Sequence, residues 1–493
     1  MSGRKEIKIS EIGELHNRSR LMLEAIAESG RPVFQVDGAI TRVKTSVSGA
    51  KMEPLNQDGL RHEISQSACC LKTKSHSDGK TFLIEIDPPM DAVKDAIAST
   101  EIPLPPIIGI ITHPTISANG KSINHAGYDP ETCLFLDAPE KILMAAEDIP
   151  VAPTLTEIKE AVELINEVIT DIPFAGEADR AGYFAMLLTM ICRPIIGGHT
   201  PIFLIRASTQ GTGKTLTVES AIKITTGRPA TPTAWADTEE ELKKTLHSLL
   251  LTGDEYIFID NVNTRIKSGT LAALVTSGRL NSRVLGFSKM VNAPCNAVVV
   301  ITANNPDLSR EIARRCVPIE LVTNLENPAE RTGFKHPDLD RFIMENRPGL
   351  IRACLIMARA WFADEMDTSG VKVLGSFESW SRTIGGILKS CGVRGFLENT
   401  SEFFSTSDGD AENWSVFANA WNRKHGNFPV LVRDILPLAR DYGLANDRQP
   451  EGSQKKSLGR ALSRKRDMVF GGIKITKGSL CEGNLTWKAV KAE

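Results

Sequence analysis

Apolar and polar positions change their period several times along the chain, and each change predicts an element. Leu21–Ser29 carries apolar residues at helical spacing and stops at Gly30-Arg31-Pro32. Pro32–Thr45 alternates like a hairpin, with Asp37-Gly38 as its turn. Glu101–Pro106 is a Pro-rich connector, Ile107–Ile111 a short apolar strand, and Asn119-Gly120 the turn after it. Asp137–Pro153 reads as a Pro-containing linker. From Thr156 the period becomes helical, with Ile158, Val162, Leu164, Ile165 and Val168 on one face, and a second apolar helix runs over Asp179–Cys192. Ile202–Ile205 is a buried strand, and helices alternate with short apolar strands as far as Leu321, which is the doubly wound α/β pattern. Asp338–Leu397 reads as helices interrupted by Gly370–Gly375, and the polar stretch Ser405–Asp410 separates the last segment. The expected organisation is therefore a small α+β module over 1–100, a connector over 101–153, an α/β core over 154–330, a helical region over 331–404 and a C-terminal domain over 405–493.

The strongest chemical signal follows the Ile202–Ile205 strand. Ser208-Thr209-Gln210-Gly211-Thr212-Gly213-Lys214-Thr215 fits GxxxxGK[ST], with Ser208 in place of the first glycine. A chain wrapped round phosphates needs bare backbone N–H groups pointing inward, and glycines allow that approach. Lys214 supplies a point charge to the β- and γ-phosphates of ATP, and the Thr215 hydroxyl reaches Mg²⁺. Tyr256–Asp260 is an apolar strand ending in an acid, placing Asp260 where a carboxylate serves the same ion. Asn261 follows it; an amide orients a water but takes no proton, and Asp254 and Glu255 lie at the far end of that strand. A third strand, Ala297–Ile301, leads to Thr302-Ala303-Asn304-Asn305-Pro306, where Asn304, or alternatively Asn305, would sense the γ-phosphate. Arg314 and Arg315 precede the strand Val317–Leu321, and an arginine there would stabilise charge at a neighbouring subunit's site.

Gly211–Thr215, Asp260, Asn304 and Arg314-Arg315 stand in an order that resembles AAA+ ATPases, and within them the superfamily-three-like replicative helicases of phages, plasmids and integrated elements. Pro105–Gly109, His113-Pro114, Asn119-Gly120 and Gly127–Asp129 are similar to the segment before the motor in primase–helicases of such elements. Arg347–Trp361 and Trp380–Leu397 are similar to the helical lid of that group. The resemblance implies a P-loop AAA+ parallel-sheet core with a lid, an oligomeric ring such as a hexamer, and single-stranded DNA in its channel. It also implies a DNA-gripping hairpin, here Val284–Pro294, with Phe287, Ser288 and Lys289 near the tip. Residues 1–100 hold no acidic metal cluster of the primase kind.

Net charge is only −2, so any nucleic-acid surface must be local. Arg448–Lys477 supplies one: nine Lys/Arg against two acids, Glu451 and Asp467. Ser453 is placed to N-cap a helix to about Arg466, with Lys456, Arg460 and Arg464 on one face. Val469–Thr476 and Asn484–Val490 then form strands, so the domain reads as winged-helix-like, and its basic helix face suits DNA phosphates. Trp414, Phe417 and Trp421 read as core. The nine cysteines show no CxxC pair or zinc spacing, and no apolar run or leader suggests a membrane, which points to the cytoplasm. Two functions remain open. One is an ATP-driven DNA helicase or translocase in element replication. The other is a non-unwinding AAA+ switch or scaffold that binds ATP and DNA and recruits a partner in replication control or defence.

Overall fold

The computed structural model describes residues 4–46, 49–283, 290–304, 306–325, 327–406, 409–445, 450–481 and 484–492. The chain divides into two compact units, one formed by 1–306 with 314–399, the other by 307–313 with 400–493.

At the start of the first unit, Lys5–Lys8 pairs in parallel with Ala68–Ser75, which pairs antiparallel with Thr81–Ile86. Helices Leu15–Glu28, Gln57–Ser67 and Met90–Ala98 close this sheet around Met22, Leu23, Ile26, Leu60, Ile64 and Val93. The expected hairpin is present as Val33–Val36 against Ala39–Ser46, with Asp37 and Gly38 at φ 46° and 79°, the left-handed pair a two-residue turn requires. Gly109–Ile111 pairs in parallel with Leu134–Leu136. The segment read as a linker from Asp137 instead folds in part: Glu140–Met144 is helical, and the Asp137 carboxylate accepts from the Ala50 amide at 2.8 Å. That donor lies far away in sequence, so the local pattern could not reveal it.

The centre of the unit is a four-stranded parallel sheet in the order Tyr256–Val262, Val298–Asn304, Ile202–Ala207, Cys316–Leu321. Ile202–Ile205, Ile257–Ile259 and Val298–Ile301 are each no more than 1% exposed, as strands covered on both faces must be. Before the sheet come Leu155–Val168, whose Thr154–Glu157 capping box fixes its start, and Glu177–Ile191. Lys214–Thr226, Glu239–Thr252 and Gly269–Ser277 connect the strands. Arg279–Arg283 and Met290–Pro294 form an antiparallel pair, while Phe287, Ser288 and Lys289 lie outside the described residues. Leu339–Ala363 and Glu378–Ser390 are the long helices that follow.

In the second unit, Gly409–His425, Val432–Asp441 and Glu451–Arg464 are helices. An antiparallel sheet runs in the order Val430–Leu431, Asn484–Lys491, Ile473–Cys481, Val469–Phe470. Trp414, Phe417 and Trp421 are core, packed with Leu458, Leu462 and Trp487. Two expectations are corrected here. The basic helix starts at Glu451 with Pro450 at its N-cap, so Ser453 lies inside it. Proline's fixed φ suits that entry, and Glu451 places an acid in the first turn. The strand expected over Val469–Thr476 is broken by Gly471 and Gly472, whose φ of 54° and 80° turn the chain back on itself. Among the described residues no helix is long and apolar enough to cross a membrane.

Candidate nucleotide site

The Ile202–Ala207 strand runs straight into the glycine-rich loop, and the helix Lys214–Thr226 runs out of it. Gly211 and Gly213 sit at φ 77° and 97°, which an L side chain resists. A methyl built on Gly211 would also stand 3.3 Å from the Ala329 amide nitrogen. Gly213 occupies the N-cap and offers no side-chain acceptor to the first helical turn. Among the described residues no acceptor meets the backbone N–H groups from Gly211 to Leu216. The Thr212 hydroxyl braces the loop by donating to the Thr209 carbonyl at 2.7 Å. Ser208 and Gln210 are exposed.

Lys214 is buried, and its ammonium donates to Asn304 Oδ1 at 2.6 Å. Burial lowers its pKa below the ordinary lysine value, and the Asp260 carboxylate offsets only part of that. Thr215 donates to Asp260 Oδ1 at 3.2 Å. Parallel pairing puts all of these groups at one end of the sheet, with Ala207 opposite Asn304. The neighbouring ladder between Tyr256–Val262 and Val298–Asn304 shifts register between Ile259 and Val262, and Asn261 adopts φ 53°. This irregularity turns two successive side chains toward the loop. Asp260 meets Thr215 and Thr302, and Asn261 Oδ1 accepts from Asn304 Nδ2 at 3.3 Å.

Thr302 is a member that sequence reasoning missed. It is fully buried, donates to Asp260 Oδ1 and accepts from the Asn261 amide at 2.7 Å. Its signal was the alternation of the strand, since Thr302 and Asn304 share a face. Asn305, the alternative sensor, lies outside the described residues. Glu255, at the other end of its strand, bonds instead to the Thr112 hydroxyl at 2.6 Å and stands 3.0 Å from His113.

Arg314 and Arg315 are not brought to this cluster. They precede Cys316, which pairs with Ile202 at the opposite end of the sheet. Arg315 is buried and donates to the Thr276 hydroxyl at 2.8 Å, whereas Arg314 is exposed. In the second unit Lys456 and Arg460 are exposed on the helix face opposite the buried Gln454, Leu458 and Leu462. The Arg464 side chain lies outside the described residues.

On the other flank of the loop opens a cavity of about 650 Å³, which the sequence did not announce. Its walls come from the end of the Leu155–Val168 helix and from residues 323–340. The latter segment is strapped down. Arg331 donates to the Asp171 carbonyl at 2.5 Å, and Lys335 and His336 contact the Glu167 carboxylate at 2.6 and 2.8 Å. The His336 ring stacks on Phe342. Val168, Ile172, Pro173 and Phe334 give the cavity apolar walls, while Gly211, Thr212 and Gly213 line its edge.

These groups fit a magnesium nucleotide: unpaired amides and a buried ammonium for the phosphates, a hydroxyl and a carboxylate for the ion, and an apolar recess for a base. No family profile and no curated protein matches the chain. Among solved structures 53 chains match. Two apo structures of the C-terminal region of NrS-1 span 96% of this chain at 13% identity, covering 100% and 99% of their own chains, with TM-scores of 0.39 and 0.41.

Proposed function

We propose that the chain is an ATPase that drives movement along DNA, working as a ring of identical subunits. The observation that carries this reading is the convergence of Lys214, Thr215, Asp260 and Asn304 beside a loop whose amides meet no acceptor among the described residues. Lys214 and the amides from Gly211 to Leu216 bind the phosphates. Thr215 and Asp260 hold Mg²⁺, which supplies neutralising charge to the phosphate oxygens when bound. Thr302 keeps Asp260 in its rotamer. Asn304 bonds Lys214 and Asn261 at once, so its position follows whatever Lys214 engages. Arg314, exposed at the far end of the sheet, reaches a neighbouring site if copies pack head to tail, a contact that closes into a ring. The order helix, strand, helix, helix, hairpin in the second unit is that of a winged helix, with Lys456 and Arg460 turned to DNA phosphates.

Steady-state ATP turnover with and without single-stranded DNA tests the reading. Stimulation by DNA, and loss of ATP binding in Lys214→Ala, are the expected results. Turnover indifferent to DNA argues against a translocase, and normal ATP binding by Lys214→Ala removes the site. One observation favours a second reading, a switch that binds ATP and recruits a partner without unwinding: Asn261 stands where a water-activating acid would help. A fork-unwinding assay separates the two.

A further inference from the structure

The helix that leaves the phosphate loop carries one acid into the cavity. Glu219 lies one turn beyond Thr215 and three residues after Leu216, both near the loop. Leu216 and Glu219 line the same recess. Lys223, the next residue along this stripe, forms an ion pair with Asp340, which lines the same recess. Glu219 is half-buried, and among the described residues no donor meets its carboxylate. Burial, then the nearby Asp340 charge, raises its pKa, with Lys223 opposing.

A carboxylate beside an anion cradle repels phosphate. It is useful there only to the part of a nucleotide that offers donors, and those donors are the ribose hydroxyls and the amine of the base. Position decides between them. Four residues along a helix advance about 6 Å from Thr215, and the sugar directly follows the α-phosphate. The base lies further out, against the apolar walls Val168, Ile172, Pro173 and Phe334. We propose that Glu219 accepts hydrogen bonds from the ribose hydroxyls of the bound nucleotide and makes the site select ribonucleoside over deoxyribonucleoside triphosphates. The inference rests on the ATP-binding reading above. A site built to bond a substrate hydroxyl discriminates against the analogue that lacks it, because its own polar group is then left unpaired.

The test is calorimetric titration of the full chain, with Mg²⁺, against ATP, 2′-deoxy-ATP and 3′-deoxy-ATP. Wild type is expected to bind at least one deoxy analogue about 10-fold more weakly than ATP. In Glu219→Ala that ratio is expected to fall to within about 2-fold, and in the isosteric Glu219→Gln to lie between. Equal affinity for all three ligands in wild type overturns the proposal, as does a ratio that survives in Glu219→Ala. Discrimination between ATP and purine riboside triphosphate that vanishes in Glu219→Ala assigns the carboxylate to the base and also overturns it. If no nucleotide binds any of the proteins, the ATP-binding reading falls and takes this one with it. Nucleotide binding without sugar discrimination sinks this one alone.

Discussion

Asn261 shows how one residue's backbone constrains its chemistry. Its φ of 53° lies in the left-handed region, which asparagine tolerates far better than most side chains. The position following Asp260 therefore favours Asn or Gly on conformational grounds, whatever a longer acid would offer to a water. Asn261→Val, with a β-branched side chain at positive φ, is expected to lower unfolding stability by about 1–2 kcal/mol, while Asn261→Gly stays within a few tenths. Urea denaturation of the two variants checks this, and equal midpoints would show that the strain is absent. Glu63 is a second residue whose environment sets its behaviour. Its carboxylate is 4% exposed and takes hydrogen bonds from Arg31 at 2.6 Å and Arg42 at 3.1 Å. Burial would raise its pKa, but the two arginine hydrogen bonds outweigh that and leave it lowered. A depressed carboxylate stabilises fully above its unfolded pKa, and that stability disappears as pH falls through the folded value. Amide exchange in Gln57–Ser67 is thus expected to accelerate only below the ordinary glutamate range. Glu63→Gln, which takes the carboxylate from Arg31 and leaves Arg42 to Glu53, is expected to cost about 1–3 kcal/mol at neutral pH.

At the scale of elements, the strands of the central parallel sheet were legible because their signal is local. Ile202–Ile205 is apolar throughout, and so are the runs before Asp260 and Asn304, which is how parallel strands covered on both faces must read. The Lys214–Asp260–Asn304 cluster followed, since parallel strands present their C-terminal ends together. What stayed hidden depended on distant partners. Nothing within Lys5–Lys8 says that it pairs in parallel with Ala68–Ser75, and the nucleoside-sized cavity is assembled from residues 168–173 and 323–340 around the loop. The long helix Leu339–Ala363 gives another case. Arg347, just before Pro348, is buried and donates to the carbonyls of Ile224 at 2.9 Å, Thr112 at 2.9 Å and Thr225 at 2.6 Å. Two of these belong to the last turn of the helix Lys214–Thr226, where carbonyls lack partners and a cation is favoured. Burial lowers the Arg347 pKa to about 10, with Glu255 opposing. A lysine cannot present the same planar fork, so Arg347→Lys is expected to destabilise the first unit by about 3 kcal/mol. A shift in its denaturation midpoint measures the effect, and an unchanged midpoint would show that the guanidinium merely fills space.

Over the whole molecule, a net charge of −2 conceals how unevenly the charge is distributed. The chain as a whole has no electrostatic attraction for a polyanion, so any DNA affinity must come from local faces. In the second unit two of the cations are engaged within the fold. Lys455 is paired with Glu451 along the helix, and the Lys465 ammonium lies 5.9 Å over the Trp414 ring and 5.4 Å over Phe470, capping the aromatic core. Lys456 and Arg460 point away from that core and border one shallow groove with Gly459 and Ser463. Each phosphate contact releases condensed counterions, so removing two cations from a duplex contact should flatten the log–log salt dependence of binding by about two units. The double variant Lys456→Ala/Arg460→Ala is expected to bind duplex DNA more weakly at low salt, uniformly across sequences, with the shallower slope. Lys455→Ala, whose charge is already partly balanced by Glu451, is expected to change the slope by less. Fluorescence anisotropy over a salt series measures both variants. If the double variant keeps the wild-type slope, this helix face carries no phosphate contact, and DNA binding would have to be sought on another surface.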